Sequence, residues 1–479
     1  MNKGELNLKV PTGIEGLDQI LYGGFPEGSA ILLEGLPGTG KTNFGMQFLY
    51  HGVQQYNEPG VYITFEELPN QIYKDMEAFG WNIRKLEQEN KLKIICISPK
   101  ILFEQMHKKD GLFEQIVKQL NCKRIVIDSI SLFDIGEELE ETRRKVIYTL
   151  RNILRKFGLT SLLIQEKTTD NSEQTSYVNF LVDGVIHISL SEFMNNYRRR
   201  TVEVLKMRGS NFIEGEHIYK ITDQGIHVVP AFSMVEDKAI IKSDMISTGI
   251  PKLDELLSGG IPTSAAFIVD TNSKANFKYL VASIVTKRIF SGDRIVVLLS
   301  SLSSILDIEH VYRLYGIDLL SLAKEKKIYF IEHYDRPIPD GYEDCVIDVS
   351  KVNNEDYHKV INERLMTTVT ESLNNGEHWF FYYDLNTVVS QRGKGFIFNF
   401  YAEEVAKINK TGLNILALCN FREVGVETAS FLERTSNGVI RTWIDGSYQY
   451  LQLLKSPQGK MSQPFIVENI QTAPFIRLI

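Results

Sequence analysis

Cysteine is scarce in this chain, and what there is does not form a framework. The 479 residues hold four, Cys96, Cys122, Cys345 and Cys419, with no Cys-x-x-Cys pair among them. That excludes a disulfide scaffold and the common zinc spacings. Each lies in or beside an apolar, strand-like run, so buried thiols in a reducing compartment are expected. Long hydrophobic runs are also missing: no stretch of about 18 or more uninterrupted apolar residues exists. The start, Met1-Asn2-Lys3-Gly4-Glu5-Leu6, is polar and has no signal-peptide core. A cytoplasmic location and no membrane partner are the expectation. An excess of positive charge is absent as well. The net charge of −7 gives no global attraction to nucleic acid, and any such binding must come from a local patch. With 43% hydrophobic and 24% charged residues, the chain is globular and long enough for at least two domains.

The most specific feature present is Gly35-Leu36-Pro37-Gly38-Thr39-Gly40-Lys41-Thr42, a complete Walker A phosphate-binding loop (P-loop). The apolar run Ile31–Leu33 before it and Asn43–Leu49 after it supply the strand and helix that the loop must join. Glycines at these positions let backbone N–H groups turn toward phosphate oxygens, and the helix adds the positive end of its dipole. Gly35, Pro37, Gly38, Thr39, Gly40, Lys41, Thr42 and Asn43 are therefore the candidate nucleotide-binding residues. Lys41 is placed to reach the β/γ-phosphates and Thr42 to hold Mg²⁺.

The chain is written twice from one template. Thr12-Gly13-Ile14-Glu15-Gly16-Leu17-Asp18 through Gly23-Gly24-Phe25-Pro26 returns as Thr248-Gly249-Ile250-Pro251-Lys252-Leu253-Asp254 through Gly259-Gly260-Ile261-Pro262, at a constant offset of 236 (248 − 12 and 262 − 26). This is a domain-sized duplication and not a solenoid repeat. The boundary falls between about Pro230 and Ser247, with domains over 1–235 and 240–479. In the first half, short apolar runs at Ile31–Leu33, Val61–Phe65, Ile94–Ile97, Ile125–Ile127, Ser161–Ile164 and Val185–Ile188 alternate with helical stretches such as Glu140–Phe157. That order predicts an α/β fold with a mainly parallel sheet flanked by helices. Thr201–Lys206, His217–Ile221 and Ile226–Val229, separated by turn residues, predict antiparallel strands at one edge.

Three further clusters bear on chemistry. Arg124-Ile125-Val126-Ile127-Asp128 is an apolar strand ending in a carboxylate, the usual source of a Mg²⁺ contact beside a P-loop, so the metal candidates are Thr42 and Asp128. Val61–Phe65 ends in Glu66-Glu67, and a carboxylate at the C-terminal end of a neighbouring parallel strand opens into the same crevice. Glu66 is the preferred base for the attacking water, with Glu67 as the alternative. Lys206 and Arg208, two residues apart at the end of an alternating strand, leave the same face. They suit either a clamp on phosphoryl charge, in cis or from a neighbouring subunit, or an ordinary solvated strand end.

Taken together, the leader Pro11–Pro26, the P-loop, Thr64-Phe65-Glu66-Glu67, Ile127-Asp128-Ser129 and Leu205-Lys206-Met207-Arg208-Gly209 resemble the KaiC branch of the RecA superfamily over residues 11 to about 230. The resemblance implies two tandem RecA-like domains, ATP with Mg²⁺ held between subunits of a homo-oligomeric, hexameric ring, and hydrolysis of that ATP. It also implies Glu66 and Glu67 as catalytic acids beside Lys41, and Lys206 with Arg208 reaching a neighbour's nucleotide.

The second half departs from that pattern. The offset puts Thr271 at Gly35, Asn276 at Gly40, Phe277 at Lys41 and Lys278 at Thr42, so neither the glycines nor the lysine survive. Ile295–Ser301 aligns with Val61–Glu67 and replaces both acids by serine. Lys455 keeps the place of Lys206, while Pro457 stands at Arg208. Asp384, after Trp379–Tyr383, is the one retained strand-end carboxylate. This half reads as a pseudo-ATPase domain with doubtful autokinase activity, kept for packing, ring stability or an unknown protein partner. The leading expectation is an ATP-hydrolysing, ring-forming regulator. Two alternatives are a RecA/RadA-like DNA-binding recombination accessory protein and a non-hydrolysing, ATP-gated scaffold. Against nucleic acid, the loop Lys167–Ser176 carries one lysine and two acids. The concentrated basic run Tyr197-Arg198-Arg199-Arg200 suits a subunit interface as well as phosphate contact.

Overall fold

The computed structural model describes residues 8–134, 140–167, 176–193, 197–231 and 244–479, and the chain divides into two compact units, Met1–Ser233 and Met234–Ile479. Each unit opens with a two-strand ribbon. In the first, β1 (Lys9–Val10) pairs antiparallel with β2 (Phe25–Pro26). Between them the Asp18 carboxylate accepts the N–H of Thr12 at 2.7 Å, which turns the leader back on itself.

The first unit's sheet then contains β3 (Ala30–Gly35), β4 (Gly60–Thr64), β5 (Leu92–Cys96), β6 (Arg124–Asp128), β7 (Thr160–Glu166), β8 (Gly184–Phe193), β9 (Tyr197–Met207), β10 (Glu216–Thr222) and β11 (Gly225–Val229). Their spatial order is β11-β10-β9-β8-β3-β7-β6-β4-β5. β3 to β8 pair in parallel, while β8 to β11 form an antiparallel edge. The parallel strands read as continuous apolar runs because both faces are covered. One face packs Phe44, Phe48 and Leu49 of helix Lys41–Tyr56, and the other packs Leu150 and Leu154 of helix Glu140–Lys156.

In the second unit, β12 (Met245–Ile246) and β13 (Ile261–Pro262) repeat the ribbon, and Asp254 accepts from Thr248 N at 2.7 Å. The sheet follows with β14 (Ala266–Thr271), β15 (Arg294–Leu298), β16 (Ile328–Glu332), β17 (Val346–Asp348), β18 (Trp379–Asp384), β19 (Asn414–Cys419), β20 (Gly438–Asp445), β21 (Tyr448–Lys455), β22 (Phe465–Asn469) and β23 (Ile476–Leu478). Their order, β17-β16-β15-β18-β19-β14-β20-β21-β22-β23, repeats that of the first unit with one extra strand, β17, at the parallel edge. The mainly parallel α/β sheet with antiparallel edge strands is thus present twice. The equivalence extends to single residues. Gly184 pairs with Ile31 and Gly438 with Phe267; Ile31 and Phe267 on the central strands are 236 residues apart (267 − 31).

One expectation about the thiols fails. Cys122, Cys345 and Cys419 are buried, but Cys96 is exposed; it shares the face of buried Leu92 and Ile94 but is the last residue of the edge strand β5, where cover from the core ends. Among the described residues no helix is long and apolar enough to cross a membrane.

Candidate nucleotide site

β3 carries Gly35 to the C-terminal end of the sheet, flanked by β7 and β8, and the loop turns there into helix Lys41–Tyr56. Gly38 and Gly40 have φ of 78° and 91°, values open to glycine and strained for other residues. Among the described residues, no acceptor takes the backbone N–H of Gly38, Thr39, Gly40, Lys41 or Thr42. A Cβ built on Gly38 would meet nothing within 4 Å. Consecutive unpaired donors around open space at a helix N-terminus form an anion cradle, and phosphate oxygens fit it.

The side chains around the cradle have the matching chemistry. Lys41 is buried, donates to the carbonyls of Gly35 and Leu36 at 3.1 Å each, and lies 3.7 Å from the Glu166 carboxylate. Burial lowers its pKa, and Glu166 and Asp128 oppose that shift. Thr42 Oγ1 donates to Asp128 Oδ2 at 2.9 Å, and the Tyr62 hydroxyl donates to the same oxygen. Burial raises the Asp128 pKa, although Tyr62, Thr42 and the charge of Lys41 pull it down. A hydroxyl and a carboxylate at this spacing are hard oxygen donors suited to Mg²⁺, which takes few protein ligands and shares substrate phosphate oxygens.

Thr64 pairs with Asp128 across β4 and β6, so the turn after β4 begins beside the metal candidates. The Thr64 hydroxyl accepts the N–H groups of both Glu66 and Glu67 at 3.4 and 3.1 Å. This turn brings both acids to the crevice mouth. The Glu67 carboxyl is held above the usual range by partial burial first, then by the negative charges of Asp128, Asp75 and Glu66.

Two contacts on the loop are invisible in its motif. The Tyr219 hydroxyl, from β10, donates to the Thr39 carbonyl at 2.5 Å, and Arg200 Nη2, from β9, donates to the Gly38 carbonyl at 3.3 Å. The antiparallel edge therefore folds over the P-loop of its own unit. The run Arg198–Arg200 sits at the P-loop end of β9; Lys206 and Arg208 sit at the other end.

Lys206 pairs with Val185, level with Leu32, three residues short of Gly35 or about 10 Å along the strands. Arg208 lies lower still, its N–H bonded to the Asp183 carbonyl. Neither side chain reaches the P-loop of its own chain, which removes the in-cis reading. Both instead cap helix Ser176–Leu181. Lys206 Nζ donates to the carbonyls of Asn179 and Val182 at 2.6 and 2.8 Å, and Arg208 donates to that of Phe180 at 3.0 Å. Most of the loop Lys167–Ser176 lies outside the described residues.

In the second unit three of the five equivalent N–H groups, those of Ala275, Asn276 and Lys278, are taken by side chains. Asn272 Oδ1 takes the N–H of Ala275 at 3.0 Å and of Ile444 at 3.3 Å. Gln449 Oε1 takes that of Asn276 and Asn276 Oδ1 that of Lys278, at 3.3 and 3.2 Å. Asp384 is level with Asp128 through β19 and β7, but it caps the next helix, accepting from Thr387 N at 2.8 Å. The sheet also corrects the alignment of the acids by one residue. Ile31, Leu162, Val126 and Tyr62 are level, and so are Phe267, Leu416, Tyr382 and Val297. Glu66 therefore matches Ser301, and Glu67 matches Leu302 and not a serine. Lys455 keeps the Lys206 contact, donating to the carbonyls of Glu433 and Ser436 at 2.9 and 2.7 Å.

A parallel sheet with a donor-lined loop on its central strand, followed by a helix and faced by strand-end carboxylates, defines a P-loop protein of the RecA type. Within that class the chain belongs to the KaiC family. The family model described as "ATPase: KaiC" matches residues 10–233. Over 347 residues the chain is 31% identical to the circadian clock oscillator protein KaiC of Prochlorococcus marinus (strain MIT 9313), covering 70% of this chain and 68% of that protein. Over 285 residues it is 33% identical to the KaiC of Synechococcus elongatus, covering 57% of this chain and 54% of the relative, about half its length. A KaiC-like protein from Pyrococcus horikoshii OT3 is 36% identical, with 47% of this chain and 100% of the other covered at a TM-score of 0.43.

Proposed function

We propose that the chain binds Mg²⁺–ATP in its first unit and hydrolyses it there, that it works as a ring of copies, and that the second unit is a pseudo-ATPase that holds no nucleotide in its loop. The observation that carries this reading is the contrast between the two loops: five unpaired N–H groups around open space in the first unit, and three of the five equivalent donors taken up by Asn272, Asn276 and Gln449 in the second. Phosphate binding in the second loop would first have to break those bonds.

In the first unit, the N–H groups of Gly38 to Thr42 and the Lys41 ammonium orient the phosphates. Thr42 and Asp128 would hold Mg²⁺, which supplies further charge neutralisation when bound. Glu66 is assigned as proton acceptor from the attacking water, with Glu67 as the alternative. Arg208 and Lys206 act on the nucleotide of an adjacent copy, where their charge offsets that developing on the transferred phosphoryl group. The rest of the reading is a regulatory protein whose first unit cycles while its second receives or transmits the state.

The test is ATP turnover by the full chain with Mg²⁺, beside Lys41→Ala. Measurable turnover lost in the variant, with its melting temperature near that of the parent, supports the proposal. Turnover that persists in Lys41→Ala contradicts it.

A further inference from the structure

The second unit contains a cavity of about 530 Å³ that borders the start of its loop at Thr271 and Asn272. Its floor is the sheet. Asp270, Arg441 and Gln452 are level on β14, β20 and β21, so they share one face, and Trp443 follows Arg441 on that face. The wall is helix Val426–Thr435, whose Val426, Ala429, Ser430 and Glu433 follow the i, i+3, i+4, i+7 stripe. A sheet face under a helix is ordinarily apolar. Here it presents charge.

The charges are arranged, not scattered. Asp270 is buried and fully engaged. One carboxylate oxygen accepts the Phe421 N–H at 3.1 Å and the other the Arg441 Nε at 2.6 Å. This holds the Arg441 guanidinium by one edge and leaves its Nη groups for another acceptor. Besides Asp270, the carboxylate that faces them is Glu433, with 3.9 Å between Nη2 and Oε1, an ion-pair distance but too far for a hydrogen bond. Both side chains are partly exposed, at 40% and 43%. Beside them lies an apolar wall of Phe421, Val426, Ala429 and Trp443, with the indole stacked on Tyr450 at 5.5 Å and 22°.

A guanidinium fork and a carboxylate side by side, at ion-pair distance but not hydrogen-bonded to each other and flanked by an apolar wall, complement a molecule with a carboxylate and an ammonium on one carbon and a large apolar group beyond. We propose that this cavity binds a free α-amino acid with a bulky apolar or aromatic side chain. Its carboxylate takes the Arg441 Nη pair, its ammonium takes Glu433, and its side chain lies along Trp443, Val426 and Ala429. The lining acids Asp270 and Glu433 match the cations Arg422 and Arg441 in number, which favours a zwitterion over a polyanion such as a nucleoside triphosphate.

The test is calorimetric titration of the full chain with L-leucine, L-phenylalanine and L-tryptophan, and then with the methyl ester and the N-acetyl derivative of the tightest. The expected result is saturable binding of at least one amino acid, weakened about tenfold or more when either charged group is masked, and weakened similarly by Glu433→Gln and by Arg441→Lys. Arg441→Lys disturbs the contact with buried Asp270, so if it fails to fold, Glu433→Gln, a change at a partly exposed position, decides. No saturable heat from any of the three at millimolar concentration overturns the proposal. So does an ester or N-acetyl form that binds as tightly as the free amino acid, or a Glu433→Gln chain that binds unchanged.

Discussion

Gly35 and Gly38 stand three residues apart in one loop, yet the structure assigns them different work, and substituting each by alanine separates fold from ligand binding. At Gly35 an added Cβ would lie 2.4 Å from the carbonyl oxygen of Ile188 and 2.8 Å from its Cγ1. The oxygen belongs to the backbone of the adjacent strand β8 and cannot move without breaking the ladder. Such overpacking costs about 1–3 kcal/mol or more. At Gly38 the Cβ would meet nothing within 4 Å. Its cost is the left-handed backbone at φ 78°, about 1 kcal/mol for alanine, or about 2–4 °C in melting temperature for a unit of this size. That Cβ projects into the space faced by the unpaired N–H groups, so the loss appears in ATP affinity, expected at about 100-fold. The assay is thermal melting of the full chain with and without Mg²⁺–ATP. At about 100 times the dissociation constant, ligand stabilises a protein by about 2.7 kcal/mol. The parent should show that rise and Gly38→Ala almost none of it, while Gly35→Ala should melt low even without nucleotide. A Gly38→Ala chain that keeps the full ATP-dependent rise would refute the assignment of the open space to phosphate.

Glu66→Gln is expected to retain ATP and lose about two orders of magnitude in turnover, the scale of a positioned base; if only Glu67→Gln does so, the roles are exchanged. The pH profile gives a second readout. Because the Glu67 carboxyl is raised, a reaction that needs it ionised fails, as pH falls, at a higher pH than an ordinary glutamate would set. Arg208→Ala should bind ATP nearly as well as the parent but turn it over slowly, and mixing it with Glu66→Gln should recover activity at interfaces that join an intact pair. If the copies exchange and the mixture shows only the sum of its parts, the action across subunits is wrong. Lys455→Met should lower the melting temperature, since three carbonyls, of Glu433, Arg434 and Ser436, lose their donor. An unchanged melt would show that the cap contributes nothing.

Much of the fold was legible because its signals are local. Apolar runs of parallel strands, the P-loop and the duplicated leader can each be read within a few residues, and their constant offset located the second copy. What escaped is long-range. Tyr219 and Arg200 follow the loop they touch by 180 and 162 residues, and nothing in an alternating edge strand announces where its face will dock. The contacts of Lys206 with a helix end were hidden for the same reason, since spacing cannot reveal the carbonyls of Asn179 and Val182. The one-residue slip at Ser301 and Leu302 arose because Val61–Phe65 and Ile295–Leu299 are both featureless apolar runs. Only the hydrogen-bonded ladder fixes their level.

In the proposed reading one chain offers one nucleotide site. Its most direct test is the stoichiometry of ATP binding to the full chain, measured by equilibrium dialysis at saturating Mg²⁺–ATP, for the parent and for Lys41→Ala. One ATP per chain is expected for the parent and none for the variant. Two per chain in the parent, or one remaining in Lys41→Ala, would contradict it.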